Sequence, residues 1–322
     1  EEVAAPASII LSVNGQVGDG EDLSWLWDVD FSILHEHDGP IIVCGERGAD
    51  MAVRLLYEGI DCEVVETTTD AVNRAPIGSV DLLANYTAFR VILPEVFGTY
   101  GDSGNARVLA KRMEWRGISS ETVSIGLGDV VPADLDIYLI GGGEDGTQAL
   151  AIQHLKEHPG LQQAAQGSAT VLAVCAGLQI LGEWFIDANG NRIEGVGLLD
   201  ARTTLGERSV GELVSTPMIP GLTDLLTGFE NHLGATELGP DARPLGHVLH
   251  GRGNASGEPL ADGAVQGNVF STYMHGPVLA RNPQFADFLI ARAIGSDSLD
   301  PIDLPEVDQL RKERLEAAEI KN

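Results

Sequence analysis

Short continuous apolar runs, each closed by glycine or a polar turn, recur along this chain and alternate with stretches whose apolar positions repeat at helical spacing. Residues 9–14, 41–44 and 62–65 read as strands, with a helix over 50–58 between the last two. Further on, 91–93, 123–125, 137–140, 171–174 and 269–274 read as strands, and 105–115, 147–154 and 283–294 as helices. Strands that alternate with helices in this way predict a doubly wound α/β architecture. From 304 to 320 charged and apolar residues alternate at helical spacing, which predicts a terminal helix packed on the surface.

Two of these runs end in reactive side chains. Thr170-Val171-Leu172-Ala173-Val174 stops at Cys175 and passes at once into Ala176-Gly177, so a buried strand breaks into a helix with a thiol at the junction. Such an elbow pushes one side chain over the sheet edge, while the first N–H groups of the following helix have no intrahelical acceptor and favour thiolate or an oxyanion. The plainer alternative is a cysteine that fills a core. The run from Asn268 ends Tyr273-Met274-His275 and is stopped by Gly276-Pro277, which puts an imidazole at a strand's end. A thiol with an ordinary pKa near 8.5 needs a base or an imidazolium beside it to act near neutrality, and His275 suits that role. A third run, Ile137 to Ile140, enters Gly141-Gly142-Gly143, where backbone N–H groups can approach a ligand without a Cβ in the way.

Composition narrows the classes. The 322 residues carry a formal charge of −28, which disfavours nucleic acid and anionic membrane surfaces as partners. With 43% hydrophobic residues there is material for two cores. Cys44, Cys62 and Cys175 lie far apart without metal-ligand spacing, so no zinc site or disulfide framework is expected and a reduced, cytoplasmic setting is. His35-Glu36-His37-Asp38 reads as a solvated turn rather than a metal site. No Gly-Lys-Ser/Thr phosphate loop occurs, and no apolar run reaches bilayer length.

The order Gly-Gly-Gly, Val-Cys-Ala-Gly-Leu-Gln, Tyr-Met-His-Gly resembles the class I glutamine amidotransferases, in particular their cobyric-acid-synthase-like branch. Leu93 to Asn105, Gly228-Phe229-Glu230-Asn231-His232 and Ala280-Arg281-Asn282-Pro283 are similar to the GatD family of lipid II isoglutaminyl synthase subunits. Ser24-Trp25-Leu26-Trp27-Asp28-Val29-Asp30-Phe31, the stretch from Ile42 to Leu55 and Leu83 to Phe89 resemble instead the C-terminal domain of MurT, a Mur-ligase-like partner of GatD. The resemblances divide the chain at about residue 90, with a small MurT-like α/β domain over 1–90 and a flavodoxin-like GatD-like domain with a C-terminal helix over 91–322. The chain begins at Glu1, inside the MurT pattern, which reads as a piece of a larger fused protein, natural or engineered.

What the resemblance implies is a glutaminase. Cys175 would be the nucleophile, His275 the acid and base, and the N–H groups of Gly142 and Ala176 the oxyanion donors. Many relatives orient the histidine with a glutamate two residues later; Pro277 stands there, and the MurT motif offers Asp28, with Asp30 as a neighbouring competitor. Arg208 and Gln179 are candidate glutamine ligands, together with Gly142. Asn231 and His232 could line the pocket, and His232 is an alternative base. The implied partners are L-glutamine and, through the complete MurT/GatD assembly and the remaining MurT domains, lipid II at the inner face of a bacterial membrane. ATP and Mg²⁺ are expected on the MurT central domain, with no cofactor in this chain. Two rival readings are an ammonia donor for another acceptor, such as a corrinoid, and a non-catalytic module that regulates a ligase.

Overall fold

The computed structural model describes residues 8–13, 23–45, 47–66, 68–76, 80–84, 104–126, 129–143 and 145–320. The strand expected at 91–93, the junction at residue 90 and most of the motif from Leu93 to Asn105 lie outside them. The chain divides into two compact units, one of residues 1–94 with 303–313 and the other of 95–302 with 314–322.

In the first unit, β1 (Ser8–Ser12), β2 (Ile41–Cys44), β3 (Glu63–Val64) and β4 (Val80–Ala84) form a parallel sheet in the order β3-β2-β1-β4. β1 and β2 are buried almost throughout, which is why they appear as unbroken apolar runs. The helices are α1 (Gly48–Glu58) and α2 (Thr68–Arg74). α1 stops at Gly59, whose φ of 79° supplies the left-handed cap that a side chain resists. Two 3-10 turns, Ser24–Trp27 and Ser32–Glu36, lie between β1 and β2.

The second unit opens on α3 (Gly104–Glu114), β5 (Ile137–Ile140), α4 (Asp145–Glu157), α5 (Gly160–Gln166), β6 (Thr170–Val174) and α6 (Ala176–Leu181). Residues 184–262 then form a mainly antiparallel layer, with β7 parallel to β9, that the apolar pattern did not predict: β7 (Trp184–Ile186), β8 (Arg192–Glu194), β9 (Ala201–Pro217), β10 (Leu226–Leu238), β11 (Gly246–His250) and β12 (Ala261–Asp262). The chain returns through β13 (Ala264–Gln266), β14 (Val269–Thr272), α7 (Val278–Arg281) and α8 (Pro283–Ala293), and then forms α9 (Pro305–Ala317), whose residues up to 313 group with the first unit.

Its central sheet has the order β13-β14-β6-β5, with β14, β6 and β5 parallel. Buried ion pairs tie the flanking helices together. Arg112 of α3 donates to both carboxylate oxygens of Asp287 on α8, at 2.8 and 2.7 Å, and Arg116 adds a bond of 2.8 Å. A two-pronged guanidinium–carboxylate pair of this kind fixes angle as well as distance.

Two expectations are corrected. Residues 123–125 join no sheet among the described residues, and Val123 is half exposed: the β-branched residues make the chain extended, yet it has no ladder to enter. The strand expected over 269–274 ends its ladder at Thr272, because Tyr273 and the residues after it turn to meet β10. No described helix is long and apolar enough to cross a membrane.

Candidate active site

The register of the central sheet brings the predicted chemistry of the second unit to one edge. Cys175 follows β6, which lies between β14 and β5. The chain leaving β14 reaches His275 three residues on, and the chain leaving β5 enters Gly141-Gly142-Gly143. Thiol, imidazole and glycine turn therefore leave three neighbouring parallel strands at their carboxyl ends, the edge where open α/β sheets bind ligands.

The elbow at Cys175 is strained. All five residues of β6 are buried, and Cys175 adopts φ 52°, ψ −108°, a conformation that costs on the order of 1–3 kcal/mol for a residue with a side chain. Its N–H still donates to Thr272 O across the sheet at 2.8 Å, so the turn starts while the backbone is held. Gly177 makes the turn possible: a Cβ there would lie 2.7 Å from Ile140 O and 3.2 Å from Ala173 Cβ, so only glycine lets α6 press against β5. The amides of Ala176 and its neighbours open α6 beside the sulfur, as helix starts leave N–H groups without intrahelical acceptors.

His275 is held by its main chain. Its N–H donates to Phe229 O at 2.8 Å and its carbonyl accepts from Phe229 N at 3.1 Å, a two-bond clamp onto β10. Gly228 is required beside that clamp, since a Cβ there would lie 2.4 Å from Met274 Cβ. Gly276 follows with φ 130°, packed against Arg281, which pairs with Glu212 at 2.7 Å. The histidine is fully buried.

Beneath it lies a carboxylate that sequence reasoning missed. Asp262 accepts from Thr272 Oγ1 at 2.5 Å and from Tyr273 N at 3.0 Å, and Thr272 Oγ1 accepts in turn from Met274 N at 3.0 Å. Burial pushes the Asp262 carboxyl up to about 6 against the pull of the Thr272 and Tyr273 bonds, and the Glu230 charge adds to the rise. The residue pins the three positions before His275. The only mark it left in the sequence is the Asp-Gly of a turn.

Tyr273 heads a buried polar chain. Its hydroxyl pairs with Thr236 Oγ1 at 2.7 Å, Thr236 pairs with Thr203 at 2.7 Å, and Gln179 Nε2 lies at 3.5 Å. Burial first, and then the charge of the nearby Cys175, raise the phenol to about 12, so it is neutral near pH 7. His232 stacks on the Tyr273 ring at 3.8 Å, bonds the Gly234 carbonyl through Nδ1 at 3.1 Å and faces Glu230 at 3.6 Å. His232 thus belongs to a buried scaffold around Tyr273. Arg208 is exposed on the β9–β10 hairpin, where its guanidinium donates to Asn231 Oδ1 at 2.5 Å.

The remaining predicted group, Asp28, lies in the first unit. It ends the Ser24–Trp27 turn, its N–H donating to Trp25 O at 3.0 Å, and its side chain is exposed. Asp30 has a local task, accepting from Ser32 N at 2.9 Å to start the next 3-10 turn. In the His35–Asp38 segment His35 Nε2 contacts Glu58 O at 3.1 Å, and the described residues hold no cluster fit for a metal ion.

With this geometry in place, comparison with known proteins is decisive. A family model described as the CobB/CobQ-like glutamine amidotransferase domain matches residues 89–283. The chain belongs to that family. A second model, MurT ligase C-terminal, matches residues 1–89. Among curated amidotransferases of this kind, the GatD subunit of the glutamine-hydrolysing lipid II isoglutaminyl synthase of Streptococcus pneumoniae is 32% identical over 224 residues, covering 68% of this chain and 85% of that protein. The corresponding Staphylococcus aureus subunit is 35% identical over 212 residues, 65% of this chain and 84% of that protein. A cobyric acid synthase from Hyphomonas neptunium is 34% identical over 160 residues, 46% of this chain and 30% of that enzyme. An amidotransferase that carries a MurT-type region ahead of its glutaminase fold accounts for both halves of the sequence.

Proposed function

We infer that this chain hydrolyses L-glutamine and supplies the ammonia to a lipid II isoglutaminyl synthase, with the MurT-like domain over 1–90 and the GatD-like domain over 91–322. The observation that carries the reading is the strained Cys175 elbow on the strand beside the one that leads into His275, with the Gly141–Gly143 turn on its other side.

Cys175 thiolate attacks the side-chain carboxamide carbon. The oxyanion is received by the N–H groups of Gly142 and Ala176; one donor of this kind is worth about 3 kcal/mol in other enzymes. His275 passes a proton to the departing nitrogen as the C–N bond breaks, ammonia leaves, and a thioester remains. Water, deprotonated by His275, then attacks the thioester; the C–S bond breaks, and glutamate and the thiol are released. Asp28 orients the imidazole, a task Pro277 cannot take. Arg208 and Gln179 hold the glutamine, the guanidinium fork suiting its α-carboxylate.

The GatD names of the two relatives supply the acceptor. The ammonia amidates the D-glutamate α-carboxyl of the lipid II stem peptide, activated by ATP and Mg²⁺ on the MurT central domain, in the cytoplasm at the inner membrane face. The MurT-type match over residues 1–89 favours this acceptor over a corrinoid.

Ammonia release from L-glutamine by the full chain tests the reading. Cys175→Ala and His275→Ala should each reduce it at least 10³-fold, and Asp28→Asn by about 10²-fold with the thiol still titratable. Retention of activity in Cys175→Ala would refute the glutaminase, and retention in Asp28→Asn would refute the acid assignment alone.

A further inference from the structure

We propose that Arg54 is a positioning residue for this reaction: a buried guanidinium that fixes the turn presenting Asp28. The proposal rests on the reading of Asp28 as the acid that orients His275. Arg54 stands in the middle of α1, and its side chain is wholly buried. Its Nε donates to Leu26 O at 3.1 Å and its Nη2 to Val29 O at 2.9 Å. Those two carbonyls bracket Trp27 and Asp28. The third arm, Nη1, pairs with Glu58 Oε2 at 2.6 Å, one helical turn along α1. The guanidinium carbon lies 5.5 Å from the ring centre of Trp27 and 5.1 Å from that of Phe31, so the residues just before and after the Asp28 turn rest on the cation.

Burying a cation is costly unless every donor is satisfied. A pair with Glu58 on the same helix would not by itself need two arms aimed at carbonyls 28 and 25 residues earlier in the chain. Within the turn the backbone makes Leu26 N to Leu23 O and Asp28 N to Trp25 O, both of short 3-10 type. Arg54 thus ties the turn to α1 at two carbonyls, and its planar fork does so in a way that lysine, a single point charge, cannot.

The test compares Arg54→Lys, Asp28→Asn and the double variant in the full chain, measuring kcat and KM for glutamine. A displaced orienting group lowers the rate of chemistry and leaves substrate binding nearly intact, so Arg54→Lys should lower kcat about tenfold with KM within twofold. In the Asp28→Asn background the same change should do nothing further. Equal loss in both backgrounds, or no loss in the first, overturns the clamp. If Asp28→Asn loses activity and Arg54→Lys does not, the clamp fails and the acid assignment stands; if Asp28→Asn keeps full activity, the acid assignment fails and takes the clamp with it. Thermal unfolding identifies an Arg54→Lys chain that has not folded. In that event Glu58→Gln, which leaves Arg54 in place but loosens its anchor, decides: about a threefold fall in kcat that vanishes in the Asp28→Asn background supports the clamp, and an unchanged kcat overturns it.

Discussion

Each unit carries a cysteine where a buried parallel strand gives way to the next helix, and the backbone treats the two differently. Cys44 is the last residue of β2, still in register with Ser12 of β1, and packs with Ile10, Ile42 and Ala71. The left-handed turn that follows falls on Gly45, φ 94°, where it is cheap. Cys175 stands one residue beyond its strand and takes the left-handed turn itself. The residues before them do not separate the two, since both follow an apolar run ending in valine. What separates them is which residue absorbs the turn. Both thiols are buried, but a glycine takes the turn after Cys44, whereas Cys175 carries the positive φ itself at the mouth of α6.

The comparison breaks most visibly on activity. Cys175→Ala should abolish glutamine hydrolysis, by about 10⁴-fold or more, while Cys44→Ala changes kcat less than twofold. A comparable loss from both would mean that the elbow geometry does not distinguish them.

Asp262 sharpens the contrast, because it anchors the residues just before His275. Its carboxyl lies near 6 when folded and near 3.8 when exposed, so the native state binds its proton more tightly. The stability it confers is therefore fullest below about pH 4 and declines as pH rises toward 6. Across that window wild type should lose on the order of 2–3 kcal/mol relative to Asp262→Asn, as read by urea unfolding at pH 4, 5, 6 and 7. A difference that is flat with pH would contradict the buried-carboxylate account.

Gly177→Ala tests the close approach itself. A Cβ 2.7 Å from Ile140 O must displace backbone, and about 2 kcal/mol of stability should go with at least a tenfold fall in kcat. The smallest effect belongs to Cys44→Ala, which removes one buried sulfur from a packed cluster and should cost about 1 kcal/mol in a denaturant melt.

The parallel strands were legible as unbroken apolar runs: 41–44 and 137–140 stand where the pattern put them, 171–174 lies within the strand Thr170–Val174, and the first and last of these are buried throughout. The antiparallel layer over 184–262 was not legible. β9 exposes most of residues 204–210 and contains Gly206 and Gly211, so neither an apolar run nor a clean alternation marks it. The chemistry was partly legible. Cys175 and His275 stood out as reactive groups at the ends of runs, whereas Asp262 and the chain from Tyr273 to Thr203 become visible only when β10, β12 and β14 are brought together. Pro277 pointed, by what it cannot do, to an acid from elsewhere in the sequence.

The claim at the centre is that Cys175 is the glutamine-splitting nucleophile. Incubating the full chain near neutral pH with a diazoketone analogue of glutamine and locating the adduct by mass spectrometry tests it directly. One adduct on Cys175, suppressed by excess L-glutamine, is the expected result; Cys62, whose thiol burial and the charges of Glu306 and Asp61 push up to about 11, should stay unmodified, as should Cys44. An adduct on either of those instead, or none anywhere, would contradict it.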